Sequence, residues 1–88
     1  MQHTDPTRSS AIEAVIDATA DVLRVEPATL SEATAFVADL DADSLALVEI
    51  VMQLEERFDV RIPESELDDV TTIAAAADLV LRHAASAA

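Results

Sequence analysis

Not one of the 88 residues is glycine, and only three are proline. Tight two-residue hairpin turns need residues that accept positive φ, above all Gly or Asn-Gly. A chain without glycine is pushed towards helices joined by wider loops. Its core must be aliphatic: 51% of the composition is hydrophobic, yet two phenylalanines are the only Phe, Tyr or Trp present. This length predicts one small domain. Cysteine is absent as well, which removes disulfides, thiolate metal sites and cysteine nucleophiles and leaves the chain without a thiol.

Apolar spacing predicts where the helices lie. In "SAIEAVIDATADVLRV", Ile12, Val15, Ile16, Thr19 and Leu23 recur at helical intervals. A first helix from Ala11 to Arg24 follows, with Ser10 and Glu13 spaced as a capping box and Pro27 blocking continuation. The stretch "VEPATLSEATAFVADLDAD", residues 25–43, is irregular and reads as a long loop, pinned to the core by Leu30, Phe36, Val37 and Leu40. A second helix runs from Ser44 to Phe58. "DVRIP" is an extended link with Ile62 buried, and Pro63 opens a short third helix over Glu64 to Leu67. Thr71 or Thr72 caps the last helix, whose inward face is Ile73, Ala76, Ala77 and Val80. The expected architecture is all-α, a small four-helix bundle with one long crossover loop.

A formal charge of −13 excludes nucleic-acid backbones and anionic membranes as partners and favours a basic protein surface. "MQHTDPTRSS" has no apolar signal core, and no stretch approaches the roughly 20 apolar residues of a membrane span. A cytoplasmic monomer is the expectation.

The second helix carries one apolar stripe too many. On a wheel of about 100° per residue, Leu47, Ile50, Val51, Leu54 and Phe58 form one arc, an ordinary core stripe. Leu45, Val48 and Met52 form another, flanked by Glu49, Glu55 and Glu56. Ala46, Gln53 and Arg57 take the remaining side. Packing beneath the long loop is one explanation of the second stripe. The carboxylate frame favours another: a docking face, greasy for affinity and charged for steering.

Ser44 opens that helix, with Asp43 before it. Either side chain suits an N-cap, and if Asp43 takes that role Ser44 is left pointing outward. A serine nucleophile needs a base and an oxyanion hole. The only histidines, His3 and His83, sit in the end segments, no Gly-x-Ser-x-Gly elbow exists, and the neighbours are carboxylates. Enzymatic catalysis is rejected. Asp39, Asp41 and Asp43 alternate like the first ligands of a calcium loop, but Ser44 stands where Gly is needed and Ile50 where a bidentate Glu is needed. No metal site is expected.

"DADSL", followed by "VEIVMQLEERFDVRIPE" and "VTTIAAAADLV", closely resembles the bacterial acyl carrier proteins over most of the chain. The resemblance implies that Ser44 bears 4′-phosphopantetheine, taken from coenzyme A, whose thiol holds acyl intermediates as thioesters. It implies residues 10–83 as the carrier domain, between tails at 1–9 and 84–88. It implies a phosphopantetheinyl transferase, an acyltransferase and a condensing enzyme as partners, docking on Asp39, Asp43, Leu45, Val48, Glu49, Met52, Glu55 and Glu56. Several positions depart from the family pattern: Asp41 replaces a usual Gly, Ala46 a common acid, and Leu47 a smaller polar residue, while Arg57 interrupts the acidic strip. Those changes, with arginine present and lysine absent, favour a specialised polyketide pathway over housekeeping fatty-acid synthesis. The rival readings are an unmodified acidic helical adaptor for a basic protein and a divalent-cation sensor.

Overall fold

Thr7 starts the first helix. Its hydroxyl accepts from the Ser10 N–H at 3.0 Å, and the Ser10 hydroxyl accepts from the Thr7 N–H at 2.9 Å, so two backbone donors are satisfied reciprocally. The computed structural model describes residues 7–86, and α1 spans Arg8–Leu23. The box expected at Ser10 and Glu13 is one turn too late, because Ser10 is already the third helical residue of an earlier box. Of the expected tails, residues 1–6 and 87–88, His3 among them, lie outside the described residues.

A 3-10 turn, Pro27–Thr29, follows, then a five-residue helix α2, Phe36–Leu40. Next come α3 at Ser44–Phe58, a 3-10 segment at Glu64–Asp69 and α4 at Ile73–Ser86. The described residues are therefore all-α, as expected. Two details differ from expectation: the short third helix is 3-10 rather than α, and the long loop contains a helix of its own.

Small side chains decide how the long helices meet. The buried face of α1 is Ala11, Ala14, Val15, Ala18 and Thr19, while Ile12, Ile16 and Leu23 are only partly buried. The expected stripe is thus rotated towards alanine. On α4 the predicted Ile73, Ala76, Ala77 and Val80 are all buried, joined by Leu79. Alanine on both helices lets their backbones approach, and α1 packs against α4 and α3 more extensively than those two pack together.

The loop is held by backbone bonds that no local pattern reveals. Phe36 N–H donates to the Thr71 carbonyl at 3.0 Å, Ile73 N–H to Thr34 at 3.0 Å and Ala74 N–H to Glu32 at 2.9 Å. The Thr72 hydroxyl accepts from Ala75 N–H at 3.1 Å. The bonds from Ile73, Ala74 and Ala75 satisfy free N–H groups at the start of α4, and the bond from Phe36 satisfies one at the start of α2. Arg8 adds a side-chain tie, bonding Asp78 on α4 and, at 3.1 Å, Glu32 in the loop. The bond to Glu32 and the charge of Asp78 push the Arg8 pKa up.

Leu30 and Phe36 are buried and Leu40 is partly buried, as the pinning pattern requires. Val37 is a correction: it is 61% exposed. Successive helical side chains point about 100° apart, so once Phe36 takes the core its neighbour is turned to solvent.

Arg24, Asp41 and Asp59 end α1, α2 and α3 in the left-handed region, with φ of 58°, 55° and 54°. Glycine usually takes such positions, and a Cβ there costs about 1 kcal/mol, least for Asp and Asn. Arg24→Gly is therefore expected to stabilise the fold by about 1 kcal/mol, more than Asp59→Gly, as read by urea denaturation.

Candidate functional site

The route into α3 throws two side chains outward. After α2, the Asp41 N–H donates back to the Phe36 and Val37 carbonyls, and Ala42 N–H donates to Phe36 at 2.9 Å. Ala42 is buried, so the next residues emerge from the surface. Asp43 Oδ1 then accepts from Ala46 N–H at 2.8 Å, which makes Asp43 the N-cap. Ser44 is the first helical residue and is exposed. Its hydroxyl has no hydrogen-bond partner among the described residues. The Ser44 and Leu45 N–H groups, as at any helix start, have no intrahelical acceptor and favour negative charge beside them. An anionic ester on that oxygen fits the place.

The two stripes of α3 separate cleanly. Ile50, Val51 and Leu54 are buried, with Leu47 and Phe58 partly so. On the other stripe Leu45 is 65% and Met52 54% exposed, while Val48 is half-buried. Glu49 and Glu56 stand exposed beside them. Besides Asp43, two more of the expected docking carboxylates are partly engaged elsewhere. Glu55 is half-buried and accepts from Ile62 N–H at 2.7 Å, tying the end of α3 to the following link. Asp39 accepts from Ala35 N–H at 2.8 Å and so braces α2. Arg57 reaches across to Asp17 on α1 at 3.4 Å, and Gln53 to Asp21 at 2.8 Å.

Two mainly apolar hollows border α3. One, of about 310 Å³, lies between Val48, Val51, Met52, Ile62, Pro63 and Leu67. The other, of about 350 Å³, is lined by Val37, Ala38, Leu47, Leu67 and Val70. Leu67 belongs to both walls. Neither Val37 nor Leu67 was expected at the site; the clue to Val37 is its position directly after Phe36.

The remaining chemistry is spoken for. His83 Nε2 lies 3.1 Å from both Glu66 oxygens. Asp39 and Asp43 point their carboxylates at different backbone donors. Among the described residues no group of three or more His, Cys, Asp or Glu is placed to hold a metal ion. No described helix is long and apolar enough to cross a membrane.

Comparison with known proteins gives this geometry a family. The model described as "Phosphopantetheine attachment site" matches residues 13–80. An acyl carrier protein from Rubrobacter xylanophilus is 40% identical over 76 residues, covering 86% of this chain and 94% of that protein. One from Cyanidioschyzon merolae is 40% identical over 77 residues, covering 88% and 85%. The chain belongs to the acyl carrier proteins. Acyl carrier proteins are carriers, not catalysts, and their attachment domain takes phosphopantetheine. This carrier has no cysteine, so the thiol has to be imported.

At −13 the carrier repels itself. Asp41, Asp68 and Asp69 are exposed and in no ion pair among the described residues. Its melting temperature is therefore expected to rise with added sodium chloride or magnesium, followed by circular dichroism. A melting temperature indifferent to both would contradict that.

Proposed function

We propose that Ser44 is the attachment point and that the Leu45–Met52 face of α3 is where partner enzymes dock. One observation carries this: an exposed, unpartnered Ser44 hydroxyl begins the helix whose outer stripe leaves Leu45 and Met52 in solvent. The 4′-phosphopantetheine arm supplies the thiol that holds acyl groups. Asp43 keeps Ser44 free by taking the cap, and the first N–H groups of α3 offset the negative charge of an ester there.

The partners are a phosphopantetheinyl transferase, an acyltransferase and a condensing enzyme, each with a basic docking surface. Contacts that release quickly suit a shuttle, so the shared area is small and charge supplies the encounter rate. Glu49 and Glu56 serve that steering directly. Glu55, Asp39 and Asp43 contribute through oxygens their internal bonds leave over. Asp41, Ala46 and Leu47, together with arginine in place of lysine throughout, support a specialised polyketide pathway rather than housekeeping fatty-acid synthesis.

The test is modification of the unmodified chain by coenzyme A and a broad-specificity phosphopantetheinyl transferase, followed by intact mass. One arm per chain is expected, at a rate that falls as salt rises. Met52→Arg is expected to cut kcat/KM about tenfold, the scale of an interface hot spot. Absence of a mass gain contradicts the attachment, and Met52→Arg within about twofold of wild type contradicts the docking face.

A further inference from the structure

Among the described residues three large apolar side chains are exposed: Val37, Leu45 and Met52. The latter two share the α3 face. Val37 stands apart on α2, across the turn that leads into Ser44. Scattered apolar residues on a surface are ordinary, so exposure alone decides nothing. Valine is nonetheless a poor choice for an exposed position on a five-residue helix, because its branched Cβ lowers helix propensity. Its neighbour Phe36, fully buried, already supplies the core anchor. Neither local structure nor packing accounts for Val37.

Its surroundings repeat the pattern of the α3 face. Val37 borders the hollow of about 350 Å³ that also takes in Ala38, Leu47 and Leu67. Asp68 is in the wall of that hollow, and Asp41 lies one helical turn on, its N–H bonded to the Val37 carbonyl. Neither carboxylate is in an ion pair among the described residues. An apolar contact fringed by free acid therefore occurs twice in this chain, once on the helix that precedes Ser44 and once on the helix that Ser44 begins. The turn between them is closed by Ala42 N–H to Phe36 at 2.9 Å and by the Asp43 cap at 2.8 Å.

We propose that Val37 is a second docking anchor, gripped by the coenzyme A-using transferase, so that the enzyme straddles Ser44 instead of touching α3 alone. This rests on the reading of Ser44 as the attachment point. The partner face it requires is an apolar hollow edged with arginine or lysine, complementary to Asp41 and Asp68. Contact on both sides of a serine fixes the direction of its hydroxyl better than contact on one, and orientation of a nucleophile is a large part of its reactivity.

The experiment is steady-state loading of the full unmodified chain by a broad-specificity phosphopantetheinyl transferase and coenzyme A, with Val37→Ser and Val37→Arg. The carrier's KM is expected to rise about fivefold for Val37→Ser and more than about tenfold for Val37→Arg. For both variants the melting temperature stays near wild type, which separates docking from a structural role. KM within about twofold of wild type for both variants overturns the proposal. If the wild-type chain loads, Met52→Arg slows it and the Val37 variants do not, this inference alone fails. If the wild-type chain takes no arm, the reading of Ser44 fails and this one with it. Should Val37→Arg lower the melting temperature, Val37→Ser decides.

Discussion

Ser44→Ala is expected to abolish the mass gain from coenzyme A completely while leaving the fold intact. Both halves follow from the same geometry. The hydroxyl is exposed and bonds to nothing among the described residues, so its removal leaves no buried group unsatisfied. Alanine is also the best helix former, so the first position of α3 loses nothing by the change. Asp43 is the residue whose loss hurts the helix: its carboxylate caps Ala46 N–H at 2.8 Å, and caps of that kind are worth about 1 kcal/mol. Intact mass after the transferase reaction, beside a thermal melt, reads both effects. A Ser44→Ala chain that still gains an arm, or that melts well below wild type, contradicts this assignment of labour between the two residues.

Phe36→Ala carries the second large effect, this time on stability. Phe36 heads the largest fully buried side chains and is 0% exposed. Its backbone also organises the approach to Ser44, accepting from Asp41 and Ala42 and donating to Thr71. Truncating a buried phenylalanine costs about 3–5 kcal/mol, because transfer energy is lost and a cavity remains. A domain of this size holds only about 5–15 kcal/mol in total, and the charge of −13 works against it. Urea denaturation followed by circular dichroism is expected to show a loss of about 4 kcal/mol, with α2 loosened first. A loss below about 1 kcal/mol would mean that the loop collapses onto the cavity and that Phe36 is not the anchor.

How much of this was legible beforehand depended on how local the cause is. The bounds of α3 were readable because an Asp-Ser cap precedes a long periodic run, and its two stripes emerged from spacing alone. Thr71 or Thr72 announced α4 in the same way, and Thr72 is the one whose hydroxyl caps it. The start of α1 was misplaced because Thr7–Ser10 and Ser10–Glu13 are both plausible boxes, and only the coordinates distinguish them. The helix α2 was invisible: five residues are too few for a period, and it is secured by the bonds of Phe36 to Thr71 and of Thr34 to Ile73, far along the chain. For that reason Val37 was read as a pin. At the site, exposure of Leu45 and Met52 followed the carboxylate frame, but the internal bonds of Glu55 and Asp39 involve partners that no spacing rule links. Asp41 was flagged as a departure from a usual glycine, and its φ of 55° gives the physical reason glycine suits that turn.

Fragmentation mass spectrometry of the protein purified from its native host tests the central claim most directly. One phosphopantetheine is predicted per chain, on the fragment that contains Ser44 and on no other serine. An arm found on Ser10, Ser31 or Ser65, or a chain isolated without any, contradicts it.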